Sequence, residues 1–308
     1  MKKKVAKIIL LAIAAIVAIV GIIGIVVYNK ITDGVLYYRE MADGSGVYVV
    51  GVLEEVLLDK EVDLDTIVIP ERHNGKPVRE IAWYAFDGCE SITRVELPKS
   101  LVTIGSSAFS GCVNLEEIEL PKNLKVIGND AFSGCTSLTN IDIPKGLESI
   151  GENAFAWCSE LTCFDMSTTE TYIGKEAFQY CENLIEVKLP IGIKSIEEGT
   201  FQGCEKLEDI VIPEEVVHIG ESAFDGCSLT NIVVPYGVTS IGQYAFSGTA
   251  VKSVVLPESV EEIDQSPFQK WYWEGWEQPY VKVYAPEGSY AEQWAKENGY
   301  YVLNATPE

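Results

Sequence analysis

Histidine is nearly absent from this 308-residue chain, which holds two, His73 and His218, and only three methionines. No Ser-His-Asp or Cys-His arrangement has a recognisable frame, and no glycine loop of the phosphate-cradling kind is present. Cys-x-x-Cys is missing too, so the eight cysteines lack the usual spacing of a zinc or redox site. These gaps argue against an enzyme, and no cofactor or metal is expected. The two histidines have no repeat-aligned partner and read as ordinary loop or surface residues. Positive charge is scarce as well: 23 Lys and Arg stand against 46 Asp and Glu, for a net charge of -23. A surface of that sign repels nucleic acid and anionic headgroups. It suits solubility, cationic partners or divalent ions.

The basic residues are unevenly spread. Residues 1–7 hold Lys2, Lys3, Lys4 and Lys7, and 8–27 is an unbroken run of Ile, Leu, Ala, Val and Gly. Twenty such residues in a helix reach about 30 Å, enough to cross a bilayer. The lysines in front would hold the N-terminus in the cytoplasm and place the rest outside. A cleaved signal peptide has a shorter apolar region and a small-x-small site. The run here is long and Val27-Tyr28-Asn29-Lys30 has no such site. The expectation is a single-pass signal anchor, with a secreted protein as the alternative if the segment is cleaved.

Beyond it the chain repeats. Phenylalanine falls at 86, 109, 132, 155, 178, 201, 224, 246 and 268, in six steps of 23 and two of 22. Cysteine follows three residues after the first seven of these, at 89, 112, 135, 158, 181, 204 and 227. Proline keeps the beat at 98, 121, 144, 190, 213, 235 and 257, with Ser167 in the missing place. A period of this size reads as a solenoid, whose units are too small to bury an apolar face alone and must stack. The cysteines would stack in parallel about 5 Å apart, which is poor disulfide geometry. They read as buried free thiols. In Cys112–Gly134, Ile118 and Leu120 fit the inward positions of a short strand, Pro121 ends it, and Leu124 and Ile127 begin a return leg. Gly128, with its equivalents at 105, 151, 174, 220 and 242, reads as a positive-φ turn. The Phe rings would stack behind one continuous parallel sheet.

These signatures (Ile-Pro, Ile-Gly-x-x-Ala-Phe, Gly-Cys) resemble the bacterial surface repeats of the BspA-like leucine-rich repeat family, over about residues 66–268. The lead-in Asn74-Gly75-Lys76-Pro77-Val78 and the ending from Val283-Tyr284 through Gly288–Gly299 are similar to the family's flanks. The resemblance implies a mainly-β leucine-rich-repeat solenoid with short helical or irregular return legs, displayed on a bacterial surface as an interaction scaffold, in some members an adhesin. The division expected is a cytoplasmic stub 1–7, a transmembrane anchor 8–27, an N-terminal cap 28–77, the solenoid 78–270 and a C-terminal cap 271–308. In the N-terminal cap, Asp43-Gly44-Ser45-Gly46 separates two strand-like runs and signals a hairpin.

Strand alternation directs one column outward: Glu96, Glu119, Asp142, Asp165, Lys188, Val211, Val233 and Val255. Four carboxylates on strands about 4.8 Å apart would repel one another. A basic peptide or Ca²⁺, with Glu116, Glu117 and Glu208 nearby, would relieve them. The alternative is a solvated acidic face with valines that simply favour strands. An extracellular protein ligand is the expected partner. A glycan is the other, through Trp271, Trp273 and Trp276, unless those rings only cover the open end of the core. Cys163, ahead of inward Phe164, should face outward, a candidate reactive thiol or an unremarkable exposed one.

Overall fold

A computed structural model of the chain describes residues 36–52, 65–272, 275–277 and 280–304. The expected anchor at 8–27 lies outside the described residues, and no helix among those described is long and apolar enough to cross a membrane. The chain forms a mainly-β solenoid of about nine turns. A turn is built from a short strand segment, a return leg and an Ala-Phe or similar turn, and hydrogen bonds run from these to the neighbouring turns.

The first ladder is parallel and comes in pieces. Thr66–Val68, Arg94–Glu96 and Glu117–Ile118 form one sheet; Cys163–Asp165 and Glu186–Lys188 form a second. Asn231–Val233, Ser253–Val255, Lys282–Tyr284 and Tyr301–Leu303 form a third. Registers repeat from turn to turn, as in Phe164 opposite Val187 and Ile232 opposite Val254. The single continuous sheet expected from the sequence is thus interrupted: at Asp142 only an isolated Asn140–Cys163 bridge connects, and Asp209–Val211 is unpaired as strand.

The return legs are not helical. Each carries a two-residue strand ending in Ile, from Thr103–Ile104 to Glu262–Ile263, and these pair in parallel into two ladders, broken between Tyr172–Ile173 and Ser195–Ile196. The glycine after the Ile makes this close approach feasible, and its role differs from the one expected. Gly105, Gly128, Gly151, Gly174, Gly220 and Gly242 are absent from the positive-φ set. Instead, a Cβ on Gly128 would stand 2.6 Å from Ser106 N, and one on Gly220 2.6 Å from Glu198 N. At these six turns a side chain would have to push the neighbouring backbone aside, whereas Ala82, Glu197 and Asp264 hold the same repeat position in the other turns. The left-handed conformation falls two residues later, as at Ser107 and Asp130, and again at the residue before the repeating cysteine.

The Ala-Phe turns supply a third set of contacts. Phe109 N–H donates to Ala131 O and Phe132 N–H to Ala154 O, both at 2.8 Å. This spacing sets the ring column: successive Phe centroids lie 5.1–5.7 Å apart with interplanar angles of 2–12°. Phe164 sets its edge against both Phe155 and Phe178. The seven repeating cysteines are buried free thiols, and Cys112 to Cys227 each donate Sγ–H to a Phe carbonyl of the preceding turn at 3.1–3.2 Å.

Both ends of the column are covered. The antiparallel hairpin Leu36–Glu40 and Val47–Val52 extends the return-leg ladder, with Leu36, Tyr38, Val47 and Val49 in the core. His73 belongs here and corrects the surface reading: it is buried, stacked on Tyr38 at 4.1 Å, because the strand pair Arg72–His73 and Lys76–Pro77 folds against that hairpin. His218 is exposed, as expected. At the other end, helix Tyr290–Glu297 starts at the Ser289 cap, whose hydroxyl accepts from Glu292 N–H, and stops before Gly299. Its Trp294, with Tyr300, packs against Phe268. Among the described residues these two rings cover the open end; the expectation that the rings of 271–276 do so falls on side chains outside the described residues.

Candidate binding surface

The strand alternation places Ile118, Phe164, Val187 and Ile232 inward and sends the intervening side chains to solvent. Glu96, Glu119, Asp142, Asp165, Lys188, Val211 and Val233 are exposed; Val255 is half buried. Val211 and Val233 stand out, at 79% and 67% exposure.

The acidic half is less repulsive than the column alone suggests. Arg94 reaches both Glu96 and Glu117, at 3.7 and 3.4 Å. Lys188, which lies opposite Asp165 in the register, contacts Asp165 at 3.0 Å and Glu186 at 3.1 Å. The Ser167 hydroxyl and N–H donate to Asp165, and with Lys188 they pull its carboxyl down to about 2. Among the described residues no cation lies within ion-pair distance of Glu119 or Asp142. A further column, missed in the sequence, runs alongside: exposed Lys99, Lys122 and Lys145, each directly after the strand-ending proline. The signal was there, a Pro-Lys pair repeated three times. No group of three or more His, Cys, Asp or Glu among the described residues is gathered to hold a metal ion. The Ca²⁺ expectation therefore loses its ligand set, since the carboxylates stand on successive strands and two are already engaged.

Cys163 is exposed and donates to Asn140 Oδ1 at 3.4 Å, in line with the facing read from the sequence. At the insertion, Lys270–Tyr272 pairs antiparallel with Gly275–Glu277, bringing Trp271 opposite Trp276 in the register. Trp273 lies outside the described residues, and so do the side chains of 270–279.

Parallel ladders, a stacked apolar column and a repeat of 22–23 residues define a leucine-rich-repeat solenoid. Residues 60–185 and 171–274 match the BspA type leucine-rich repeat region, in six copies, and the chain belongs to that family. It is similar to the crystal structure of a leucine-rich repeat protein from Bacteroides ovatus, with 27% identity and a TM-score of 0.63 over 84% of this chain and 71% of that one. It is also similar to the T. pallidum leucine-rich repeat protein, with 26% identity and a TM-score of 0.57 over 91% of this chain and 100% of that one. No curated protein matches the sequence.

Proposed function

We propose that this protein is a bacterial cell-surface scaffold, not an enzyme, that binds a protein partner through its outward strand face. The observation that carries the reading is the exposed Val211 and Val233, at 79% and 67%, on the same face as Glu119 and Asp142. The fold needs neither valine there, since their inward neighbours already fill the core. An apolar patch beside a charged one offers a partner both a desolvated centre and a polar rim. Anchoring by residues 8–27, with the lysines inside, would present this face outside the cell. Family membership supports the scaffold, because solenoid faces are extended binding surfaces.

The test is a protein array probed with the purified chain and two variants, one carrying Val211→Lys with Val233→Lys, the other Glu119→Lys with Asp142→Lys. A hit that weakens with salt and is lost in either variant supports the strand face. A hit indifferent to both moves binding elsewhere, and no hit leaves a surface spacer as the role. A second reading, glycan binding at the insertion, is favoured by the Trp271–Trp276 register. A glycan hit lost in Trp273→Ala and kept in both strand-face variants would establish it.

A further inference from the structure

The residue before each repeating cysteine adopts the left-handed conformation. It is glycine at 88, 111, 134, 203 and 226, and at 248 before Thr249, but Trp157 and Tyr180 occupy it in two successive turns, with φ of 63° and 56°. Bulky side chains are strained in that region, where glycine is not. Nothing in the backbone demands the exchange. Trp157 N–H donates to Gln179 O and Tyr180 N–H to Gln202 O at 2.7 Å, as Gly88 and Gly111 do to their own neighbours. Trp157 is 50% exposed and Tyr180 is half buried. Tyr84 and Tyr244 are left-handed too, at the other such position of their turns; Trp157 and Tyr180 are set apart by displacing glycine in two successive turns.

The two rings form one object. They stack at 4.1 Å between centroids, 25° from parallel. The Tyr180 ring lies flat on Gly203, where an added Cβ would meet Cδ1 at 2.4 Å. Beside them runs a file of hydrogen-bonding side chains, one per turn. Gln179 Nε2 donates to Gln202 Oε1 at 2.7 Å, and Gln202 Nε2 donates to Asp225 Oδ2 at 3.1 Å. Gln179 Oε1 accepts no hydrogen bond from the described residues. Gly199 borders the file; it carries no side chain at the earlier left-handed position, and the Glu176 chain packs over it, its Cγ 2.9 Å from where a Cβ would stand.

We propose that Trp157 and Tyr180, with Gln179, Gln202 and Asp225, form a binding site for a neutral oligosaccharide. A pyranose has an apolar C–H face, which suits the indole, and a rim of hydroxyls, which suits neutral amides and a carboxylate. The acidic surroundings disfavour an anionic sugar or a nucleic acid. The site's size argues against a protein. Glycines flank the rings along the track in both directions, so the projecting platform is two rings wide. A stable protein interface needs about 800 Å² per partner. Gln179 and Gln202 hold each other in place, so little side-chain freedom is lost on binding.

The test is calorimetric titration of the full-length chain with cellohexaose, laminarihexaose, mannohexaose and chitohexaose, beside a proline- and aromatic-rich peptide array. Trp157→Gly and Tyr180→Gly each restore the residue the other turns use. The expected result is binding of at least one oligosaccharide, weakened about tenfold or more in each variant, with the thermal midpoint moved by no more than about 3 °C. The Val211→Lys, Val233→Lys variant should bind the sugar as before, which separates this site from the strand face. The proposal is overturned if no oligosaccharide binds, or if binding survives Trp157→Gly. Trp157-dependent capture of peptides alone would overturn it as well. A larger fall in midpoint would assign the stack to stability instead.

Discussion

A methyl group added at Gly128 would stand 2.6 Å from Ser106 N and 2.8 Å from Gly105 C, both backbone atoms that cannot swing aside. Two turns would have to separate, and overpacking of this kind costs about 1–3 kcal/mol. Gly134 is a different case. Its φ is 73°, and a Cβ there would find nothing closer than Gly111 backbone at 3.8 Å. Alanine at 134 meets conformational strain alone, about 1–2 kcal/mol. The Gly128→Ala loss should be the larger of the two because it also pulls apart the return-leg ladder. Denaturant unfolding of both variants measures this; equal losses would mean that the spacing between turns relaxes freely. The periodicity marks both glycine columns equally. It shows that a residue type is required, not whether the need is space or handedness, and so the positive φ expected at Gly128 is not found there. Handedness falls on the Gly134 column and also on Ser107, Asp130 and Asn153, whose side chains vary from turn to turn and leave no periodic trace.

The same limit shapes what could be read about whole elements. Inward and outward residues on the strand followed from alternation, because burial of Ile118 and Phe164 fixes the opposite facing of Glu119 and Asp165. Contacts between turns did not follow so easily. Arg94 with Glu117, and Trp157 with Tyr180, lie 23 residues apart in the chain and a few ångströms apart in space. The thiol row is an element of this kind, and burial acts on it collectively. It pushes Cys135, Cys158 and Cys204 well above the ordinary thiol range and Cys181 up to about 12. A group whose folded pKa is raised binds its proton more tightly when folded. Its contribution is complete below the unfolded value, near 9.0, and is lost as pH rises toward the folded one. In reducing buffer, stability should therefore hold from neutral pH to about 8.5 and fall progressively above about 9. Tyrosines ionise nearby, so the informative comparison is Cys158→Ala with Cys181→Ala. The cavities lower its stability at neutral pH, but the alkaline slope should be shallower than in the parent. An unchanged slope would remove the thiols as its cause.

At the scale of the molecule, stability should come from neighbours rather than from any one turn. Each inner turn is covered on both sides by copies of itself, through two strand ladders, the Ala-Phe hydrogen bonds and the ring column. Among the described residues, Trp294 and Tyr300 are the rings over Phe268 in the last turn. Trp294 is 7% exposed and belongs to the core, so Trp294→Ala should cost about 3–5 kcal/mol locally and fray the C-terminal turns first. Removing a whole inner turn should cost far less per residue. Deletion of residues 113–135 joins Cys112 to Thr136 and restores Gly-Cys-Thr-Ser-Leu in frame. Thr103–Ile104 would then meet Ser149–Ile150, a pairing chemically like the ones it replaces, since both now pair with Val126–Ile127. Nearest-neighbour additivity predicts a shorter, cooperatively folded solenoid with a modestly lower denaturation midpoint. Deletion of 113–123 removes about half a turn and places return-leg residues where the strand should be. The charged outward positions would then face the ring column, and the variant should unfold around the junction. Circular dichroism and denaturant midpoints of the two deletions decide the matter. If the full-turn deletion unfolds as readily as the half-turn one, the turns are not interchangeable and the additive picture fails.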